Sequence, residues 1–320
     1  MGIFQKIKRH AAVAGGDFGA MFKGVELPPL PLAVNRLVSE MNKEHPSLDL
    51  MVRLISSETA MAAKVMQTVN SAFYGLRSPV TDIRRAVTLL GLKNIRNLAL
   101  AYGTMAAIPK PEDDLFDHEA FWSDSLLRAH LAHTFAEAML PGQGDDAFTA
   151  SLLADVAIPI LLSIWSDYYT PVVAEWLNTP KRLSQIEREH FGWDHAQAGA
   201  WIVRSWRFPD EIVCYIGTHN LTMAELESHE LGQTLAVPIA IAAQSASALK
   251  PDPARMARLH CLAVDQIALS NAAFADQIAT IRHSFDEMLK LFGLQHQGAE
   301  PLFKQLLAAA GFACQEAAAT

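Results

Sequence analysis

Two histidines and a glutamate on one predicted helix have the spacing of a metal-binding face. His130 and His133 are three residues apart, and Glu137 follows one turn later. Imidazole and carboxylate groups at this spacing share one side of a helix, where they could hold a metal ion that activates water. The segment lacks the H-E-x-x-H arrangement of zinc-dependent proteases, however. We therefore expect a pair of surface histidines here.

A second segment with chemical potential is basic, although the chain as a whole is acidic. Between Leu76 and Asn97 the only acidic residue is Asp82, whereas the whole protein has a net charge of −8. Such a cluster can bind an anionic nucleotide or DNA, or it can form a solvated helix face, which is the commoner case. It is the candidate surface for binding an anion or a partner. Its basic residues are Arg77, Arg84, Arg85, Lys93 and Arg96.

The composition predicts a compact globular protein. With 320 residues, 51% hydrophobic and 19% charged, the chain can bury a large core and exceeds one typical domain. The net charge of −8 excludes attraction of the whole surface to nucleic acid or to an anionic membrane. Cys214, Cys261 and Cys314 are far apart and show no C-x-x-C spacing, which indicates neither a disulfide framework nor a zinc finger.

The longest apolar run, residues 147–165, is predicted to be a buried core helix. Its length approaches that of a membrane span, but Asp155 stands at its centre and Pro159 follows closely. The basic N-terminal segment continues into Gly15, Gly16 and Asp17, which is unlike the apolar region of a secretory signal. We expect a cytoplasmic protein without a membrane span.

The spacing of apolar residues predicts an all-α fold. Apolar positions recur every three or four residues, and no stretch alternates with period two. Ser47 is a predicted N-cap, Gly91 a predicted helix stop, and Ser184 with Glu187 a predicted capping box. The predicted helices cover about residues 30–41, 47–55, 59–69, 82–90, 92–102, 119–139, 146–167, 185–190, 196–206, 210–218, 231–249, 254–269, 274–292 and 301–310.

Three segments in a fixed order resemble the HDOD domain, a bacterial regulatory relative of the HD metal-dependent phosphohydrolases. The first is a diproline segment at residues 27–31, and the last is the Leu-Leu-Gly-Leu run at residues 89–92. The middle segment is the most specific to the family, and its polar and aromatic side chains either line a groove or cap a helix and fill the core. Its signature residues are Asn70, Ser71, Phe73, Tyr74 and Gly75.

The resemblance also indicates where a metal site would stand. In the HD superfamily a histidine, a His-Asp doublet and later histidines or aspartates hold the ions. Here the doublet is replaced by Ala154 and Asp155, and the chain contains no His-Asp dipeptide. We expect a vestigial site with no bound metal, no cofactor and no catalytic residue, in which Asp155 pairs with a histidine. The other positions that the resemblance carries over are Asp124, His195, His219 and Gln244, the last in place of an aspartate.

The resemblance implies a non-catalytic bacterial signal-transduction module that binds a protein partner or a small anionic ligand. Networks that include cyclic-di-GMP turnover are typical of the family. Two other functions stay open: a weak metal-dependent phosphohydrolase, and a nucleic-acid-binding regulator that uses the basic residues. The expected organisation is an N-terminal segment at 1–21, an HDOD-like domain at 22–225 and a helical C-terminal extension at 226–320.

Overall fold

The computed structural model of the protein describes residues 18, 26–43, 45–71, 74–294, 298–311 and 314. The regular secondary structure of these residues is α-helical. Within these residues the β-type pairing is a single bridge between Ser247 and Lys250. The predicted all-α fold is confirmed. The helices are α1 (Leu32–Met41), α2 (Leu48–Ser57), α3 (Thr59–Val69), α4 (Ile83–Leu90), α5 (Leu92–Ala107), α6 (His118–Met139), α7 (Gly144–Leu152), α8 (Ala157–Ile164), α9 (Ser166–Asn178), α10 (Leu183–Phe191), α11 (His195–Ser205), α12 (Asp210–Thr218), α13 (Met223–Ser228), α14 (Ala236–Ala242), α15 (Pro253–Ile267), α16 (Asn271–Leu291) and α17 (Glu300–Ala309).

The helices form two compact units, each built from separate stretches of chain. The first unit comprises the chain up to Phe116 together with Leu153–Gly217, and the second comprises Asp117–Leu152 together with the chain from Thr218 onward. The first unit therefore contains α1–α5 and α8–α11, with all but the last residue of α12. The second contains α6, α7 and α13–α17. The expected boundary near residue 225 stays a prediction.

The N-terminal part of the first unit is held together by amphipathic helices. On α1, Val34, Leu37 and Val38 are almost completely buried, as the spacing predicts. The Ser47 hydroxyl accepts a hydrogen bond from the Leu50 amide at 3.3 Å, so Ser47 is the N-cap of α2. Gly103 on α5 allows α1 to approach closely, because a Cβ at this position would lie 2.1 Å from the Val34 side chain.

The second unit is organised around α6, a 22-residue helix that is buried along most of its length. His130 on this helix is 2% exposed and packs edge-on against Phe148 and Phe285. Burial, with the nearby charge of His133, lowers the pKa of His130 to about 3, so the ring is neutral. The predicted surface histidine pair is therefore wrong for His130, because both sides of α6 face other helices.

The predicted continuous helix at 146–167 is wrong, because the chain breaks into α7, α8 and α9. Pro159 explains the first break: it has no N–H, and its ring would clash with the carbonyl of Asp155 if one helix continued through both. Residues 153–156 form a turn instead, closed by a hydrogen bond from Ile158 N to Asp155 O at 2.9 Å. The apolar run Gly144–Ile164 is long and apolar enough to cross a membrane, but 83% of its most apolar 18-residue window is buried inside the protein.

The predicted helix at 231–249 is also shorter than expected, because α14 ends at Ala242. The amides of Gln244 and Ser245 form tighter bonds to carbonyls three residues back, and the Ala248 amide donates to the carboxylate of Asp124. This carboxylate competes with the helical hydrogen bond that Ala248 would otherwise make. The chain before α14 also contains the short helix α13, with a capping box between Thr222 and Glu225.

Candidate functional site

A buried hydrogen-bonded chain of four side chains lies in the first unit. His195 is the first residue of α11, and its Nε2 atom lies 3.3 Å from Oδ1 of Asp155 in the turn between α7 and α8. On the other side of the ring, Nδ1 lies 2.6 Å from Oε2 of Glu187 on α10. The hydroxyl of Tyr169 on α9 donates to the other oxygen of Glu187. Helices α9, α10 and α11 and one turn thus converge on a single imidazole.

Glu187 is the centre of this network. Its side chain is completely buried, and Oε2 also accepts the backbone amide of His195 at 2.9 Å. Three donors therefore satisfy its two oxygens, as a buried carboxylate requires. The predicted capping box of Ser184 with Glu187 is wrong, because Glu187 faces the core. The residue that closes the start of α10 is Gln185, whose Oε1 accepts the Arg182 amide at 2.9 Å.

The start of α11 fixes the orientation of the His195 ring. Asp194 is the N-cap, and its Oδ1 accepts the amides of Ala196 at 3.1 Å and Gln197 at 3.2 Å. The Gln197 side chain accepts the Asp194 amide in return, which completes a capping box. The other oxygen of Asp194 forms an ion pair with Arg188 on α10. The ring is therefore held by rigid backbone as well as by its two carboxylate partners.

The charges around His195 keep its ring protonated. Burial alone would lower the pKa of the ring, but the charges and hydrogen bonds of Glu187 and Asp155 outweigh it and raise the pKa to about 10. Burial and the Glu187 charge also raise the pKa of Tyr169 well above its usual value, so the phenol stays a donor. At neutral pH the His195 ring is therefore an imidazolium placed between the carboxyl groups of Glu187 and Asp155, and the Tyr169 phenol is neutral.

In the first unit, the histidine to which the family resemblance assigns a ligand role has a carboxylate at each ring nitrogen. A metal ligand must offer a lone pair, and each nitrogen of the His195 ring faces a carboxylate oxygen. Ala154, where the superfamily has the histidine of its doublet, is buried and offers no ligand atom.

The three remaining positions of the vestigial set lie in the second unit. Asp124 on α6 is buried, and its carboxylate accepts the Ala248 amide at 3.1 and 3.2 Å. Gln244 is buried too, and its amide nitrogen lies 3.4 Å from the Ala240 carbonyl. His219, also buried, directly follows the end of α12. Asp124 and Gln244 thus form hydrogen bonds with the backbone of their own unit.

The basic residues occupy α4, α5 and the loop before them. Arg77, Arg85 and Lys93 are exposed, whereas Arg96 is half-buried with its guanidinium 3.4 Å from Oδ1 of Asn97. Arg84 is exposed but forms an ion pair with Asp49 at 2.6 Å. The prediction of a solvated helix face is consistent with this exposure. We call the exposed residues Arg77, Arg85 and Lys93 the basic surface.

The family-signature segment has a structural role at the end of α3. Asn70 is the C-cap of α3, and its amide donates to the carbonyls of Met66 at 3.0 Å and Val80 at 2.9 Å. Its Oδ1 accepts the Val80 amide at 2.6 Å, so one side chain closes the loop between α3 and α4. Gly75 provides a positive φ of 56° in this loop. Ser71 donates to the Thr68 carbonyl and Tyr74 is half-buried, while Phe73 lies outside the described residues.

Sequence reasoning missed Glu187 and Tyr169. Glu187 was assigned to a helix cap because it follows Ser184 by three residues, and Tyr169 stood beyond the predicted end of a helix. One signal was available. Glu187 lies eight residues before His195 and belongs, with Ser184 and Ile186, to the buried positions of α10. A carboxylate among the buried positions of an amphipathic helix is costly unless it has a partner.

These features agree with comparison to known protein families. The sequence profile of the HDOD domain family matches residues 27–221. This match covers more than half of the chain, so the protein belongs to the HDOD domain family.

A relative from Treponema pallidum (strain Nichols), described only as an uncharacterized protein, is 25% identical over 220 residues. The aligned part is 66% of this chain and 41% of that protein. This chain therefore spans less than half the length of the relative.

Solved structures share the fold at low sequence identity. An HDOD domain protein of unknown function from Geobacter sulfurreducens has a TM-score of 0.67 and 21% identity, covering 88% of this chain and 99% of its own. A protein from Marinobacter aquaeolei VT8, provisionally described as a signal transduction protein, has a TM-score of 0.63 and 21% identity, covering 86% and 61%. A provisionally described phosphohydrolase from Shewanella amazonensis SB2B has a TM-score of 0.58 and 22% identity, covering 94% and 98%.

Proposed function

We propose that this HDOD protein is a non-catalytic regulatory module of bacterial signal transduction, which acts by binding a protein partner or a small anionic ligand. The observation that supports the proposal most strongly is the pair of carboxylates around the His195 ring. The two ring nitrogens face Asp155 and Glu187, whose charges stabilise the ring as a cation and oppose its use as a metal ligand. A hydrolase that activates water with a metal needs the opposite state of this residue.

The substitution at the doublet supports the same function. With Ala154 at this position one imidazole ligand is lost, and the turn 153–156 supplies no other imidazole, since its remaining residues are Leu153, Asp155 and Val156. Asp155 keeps its carboxylate but uses it for His195. The Marinobacter relative in fold, which is described as a signal transduction protein, adds a parallel for a regulatory role.

Binding would use the basic surface. Arg77, Arg85 and Lys93 place three exposed positive charges in one short segment of a chain whose net charge is −8. Charged residues on such a surface steer an oppositely charged partner and favour specificity. The overall negative charge repels a polyanion such as nucleic acid, so a local contact with a protein partner or a small anion is favoured.

Phosphodiester turnover tests the non-catalytic part of this proposal. We expect no hydrolysis of generic phosphodiesters or of cyclic di-GMP by the wild-type protein supplied with Mn²⁺ or Mg²⁺. We also expect the same metal content in the wild type, in Asp155→Asn and in His195→Gln. Turnover that disappears in Asp155→Asn together with one equivalent of metal would contradict the proposal and support the hydrolase alternative.

Charge reversal tests the binding part. The triple variant Arg77→Glu, Arg85→Glu and Lys93→Glu should capture less partner from a host lysate, and should bind cyclic di-GMP more weakly if that is the ligand. The control reverses the same number of exposed charges elsewhere, at Lys181, Lys290 and Lys304. Equal loss in both variants would refute a role of the basic surface. Tight DNA binding that weakens steeply with salt would favour the nucleic-acid alternative instead.

A further inference from the structure

Three sulfur and nitrogen side chains, none of which the family resemblance marks, converge in the second unit. His260 and Cys261 are neighbours on α15, and Cys314 follows α17. The Cys314 sulfur lies 3.7 Å from Nδ1 of His260, although 54 residues separate the two in sequence. One ligand atom from each of the three residues lies within 4.8 Å of the other two.

The packing of α15 brings these groups together. Helix α15 lies against α17 and α16. His260 is completely buried, and its ring stands edge-on to Phe274 of α16 with the ring centres 4.8 Å apart. Cys261 is 6% exposed, whereas Cys314 is half-buried. Two of the three side chains thus project from one rigid helix, α15, and the cluster is accessible from solvent at Cys314.

Asn271, the first residue of α16, selects the tautomer of His260. Its Oδ1 atom lies 3.1 Å from Nε2 of the ring, which therefore carries the proton and donates it. The lone pair then resides on Nδ1, the atom that points at Cys314. Histidine ligands of metal ions are oriented in this way, with the second ring nitrogen donating to an oxygen acceptor.

The electrostatic state of the cluster is also that of a ligand set. Burial lowers the pKa of His260, so the ring is neutral. Burial raises the pKa of the Cys261 thiol to about 12, and the Cys314 side chain adds to this shift. Without an ion both groups are therefore uncharged, and a metal ion would supply the positive charge that stabilises the thiolates.

We propose that His260, Cys261 and Cys314 form a binding site for a thiophilic d¹⁰ metal ion, for which Zn²⁺ is the probe. Zinc lies about 2.3 Å from thiolate sulfur and about 2.0–2.1 Å from imidazole nitrogen, so tetrahedral ligand atoms stand about 3.5–3.8 Å apart. The observed separation of 3.7 Å between sulfur and nitrogen matches this geometry. Binding releases the two thiol protons to solvent, and water completes the fourth position.

Cobalt substitution tests the site directly, because only a thiolate ligand gives Co²⁺ an intense charge-transfer band in the near ultraviolet. The reduced full-length protein should bind one equivalent of Co²⁺ with this band, and Zn²⁺ should displace it. Cys261→Ala and Cys314→Ala should each lose most of the band. Asn271→Ala should keep the band but weaken Zn²⁺ binding by about tenfold or more, the usual effect of removing an orienting partner.

Cys214 provides the matched control, since it is the third cysteine of the chain and belongs to the first unit. Cys214→Ala should bind Co²⁺ and Zn²⁺ as the wild type does. Of the two ligand variants, Cys314→Ala should still fold, because Cys314 is half-buried and follows α17. No thiolate band in the reduced wild type would overturn the proposal, as would a band that survives in Cys314→Ala. A disulfide between Cys261 and Cys314, together with no binding of Zn²⁺ by the reduced protein, would overturn it as well.

Discussion

His195 and His260 are both buried and both lie near other polar side chains, yet their surroundings give them opposite states. His195 has a carboxylate at each ring nitrogen, and its pKa is raised to about 10. His260 has an amide oxygen at one nitrogen and a thiol at the other, and its pKa is lowered. The first ring is a structural cation, and the second is a neutral base with a lone pair.

The difference lies in what each ring contacts and not in the family position of the residue. His195 stands where the family resemblance places a ligand, but Glu187 and Asp155 have taken both of its nitrogens. His260 has no counterpart in the expected set, but its free nitrogen meets Cys314. The partners of an imidazole, more than its place in a motif, decide what it can bind.

Removal of Glu187 should break the first of these environments with the largest effect. Glu187→Ala removes the acceptor shared by the Tyr169 phenol, the His195 amide and Nδ1 of the His195 ring. We expect a loss of about 3–5 kcal/mol in the free energy of unfolding, as for a broken buried ion pair. Urea denaturation measures it.

The control is Glu189→Gln on the same helix, where Glu189 is exposed and pairs with Lys181. This change should leave the urea midpoint nearly unchanged. Similar midpoints for the two variants would mean that Glu187 is not the centre of a buried network.

Asp155→Ala should have a smaller effect, because His195 keeps its bond to Glu187. We expect a loss of about 1–3 kcal/mol, the usual penalty for leaving one buried hydrogen-bonding partner unsatisfied. Asp155→Asn retains an acceptor for the ring and should recover part of the loss. An unchanged midpoint in Asp155→Ala would show that the carboxylate contributes nothing to folding.

The pH dependence of stability should separate the two histidines by sign. The unfolded reference pKa of histidine is about 6.5. Since the folded pKa of His195 is about 10, its contribution is fully present below pH 6.5 and is lost as the pH rises toward 10. The wild type should therefore lose stability over this interval relative to His195→Gln. Parallel curves would contradict an imidazolium at His195.

His260 should give the smallest effect and the opposite sign. Its folded pKa lies below 6.5, so the unfolded state binds the extra proton and stability falls as the pH drops below 6.5. In metal-free protein the wild type should lose more stability than His260→Gln between about pH 6.5 and pH 5. A difference with the sign seen for His195 would refute the neutral state of this ring.

Much of the fold was accessible from the sequence, because local signals agree with tertiary packing in most helices. Ser47 caps α2 and Asn70 ends α3, as their side chains predict. The failures occurred where a distant partner decides the outcome. Glu187 fits a local capping pattern but is recruited by His195, and Pro159 breaks an apolar run that composition alone reads as one helix.

The site was less accessible for the same reason. The resemblance selected Asp155 and His195, and the structure brings these two together. Tyr169 and the Cys261 to Cys314 contact have no signature in spacing, because contacts between separate helices leave no short-range pattern in the sequence. Only the packing of α9 against α10, and of α15 against α17, reveals them.

The most direct test of the account is the protonation state of the His195 ring, read by ¹⁵N NMR on histidine-labelled protein. The chain has 12 histidines, and His195→Gln assigns the relevant signal. Our account predicts that both ring nitrogens of His195 stay protonated from pH 6 to about pH 9 and that Mn²⁺ or Zn²⁺ does not displace either proton. A ring that titrates near pH 6.5, or that loses a proton to an added metal ion, would contradict it.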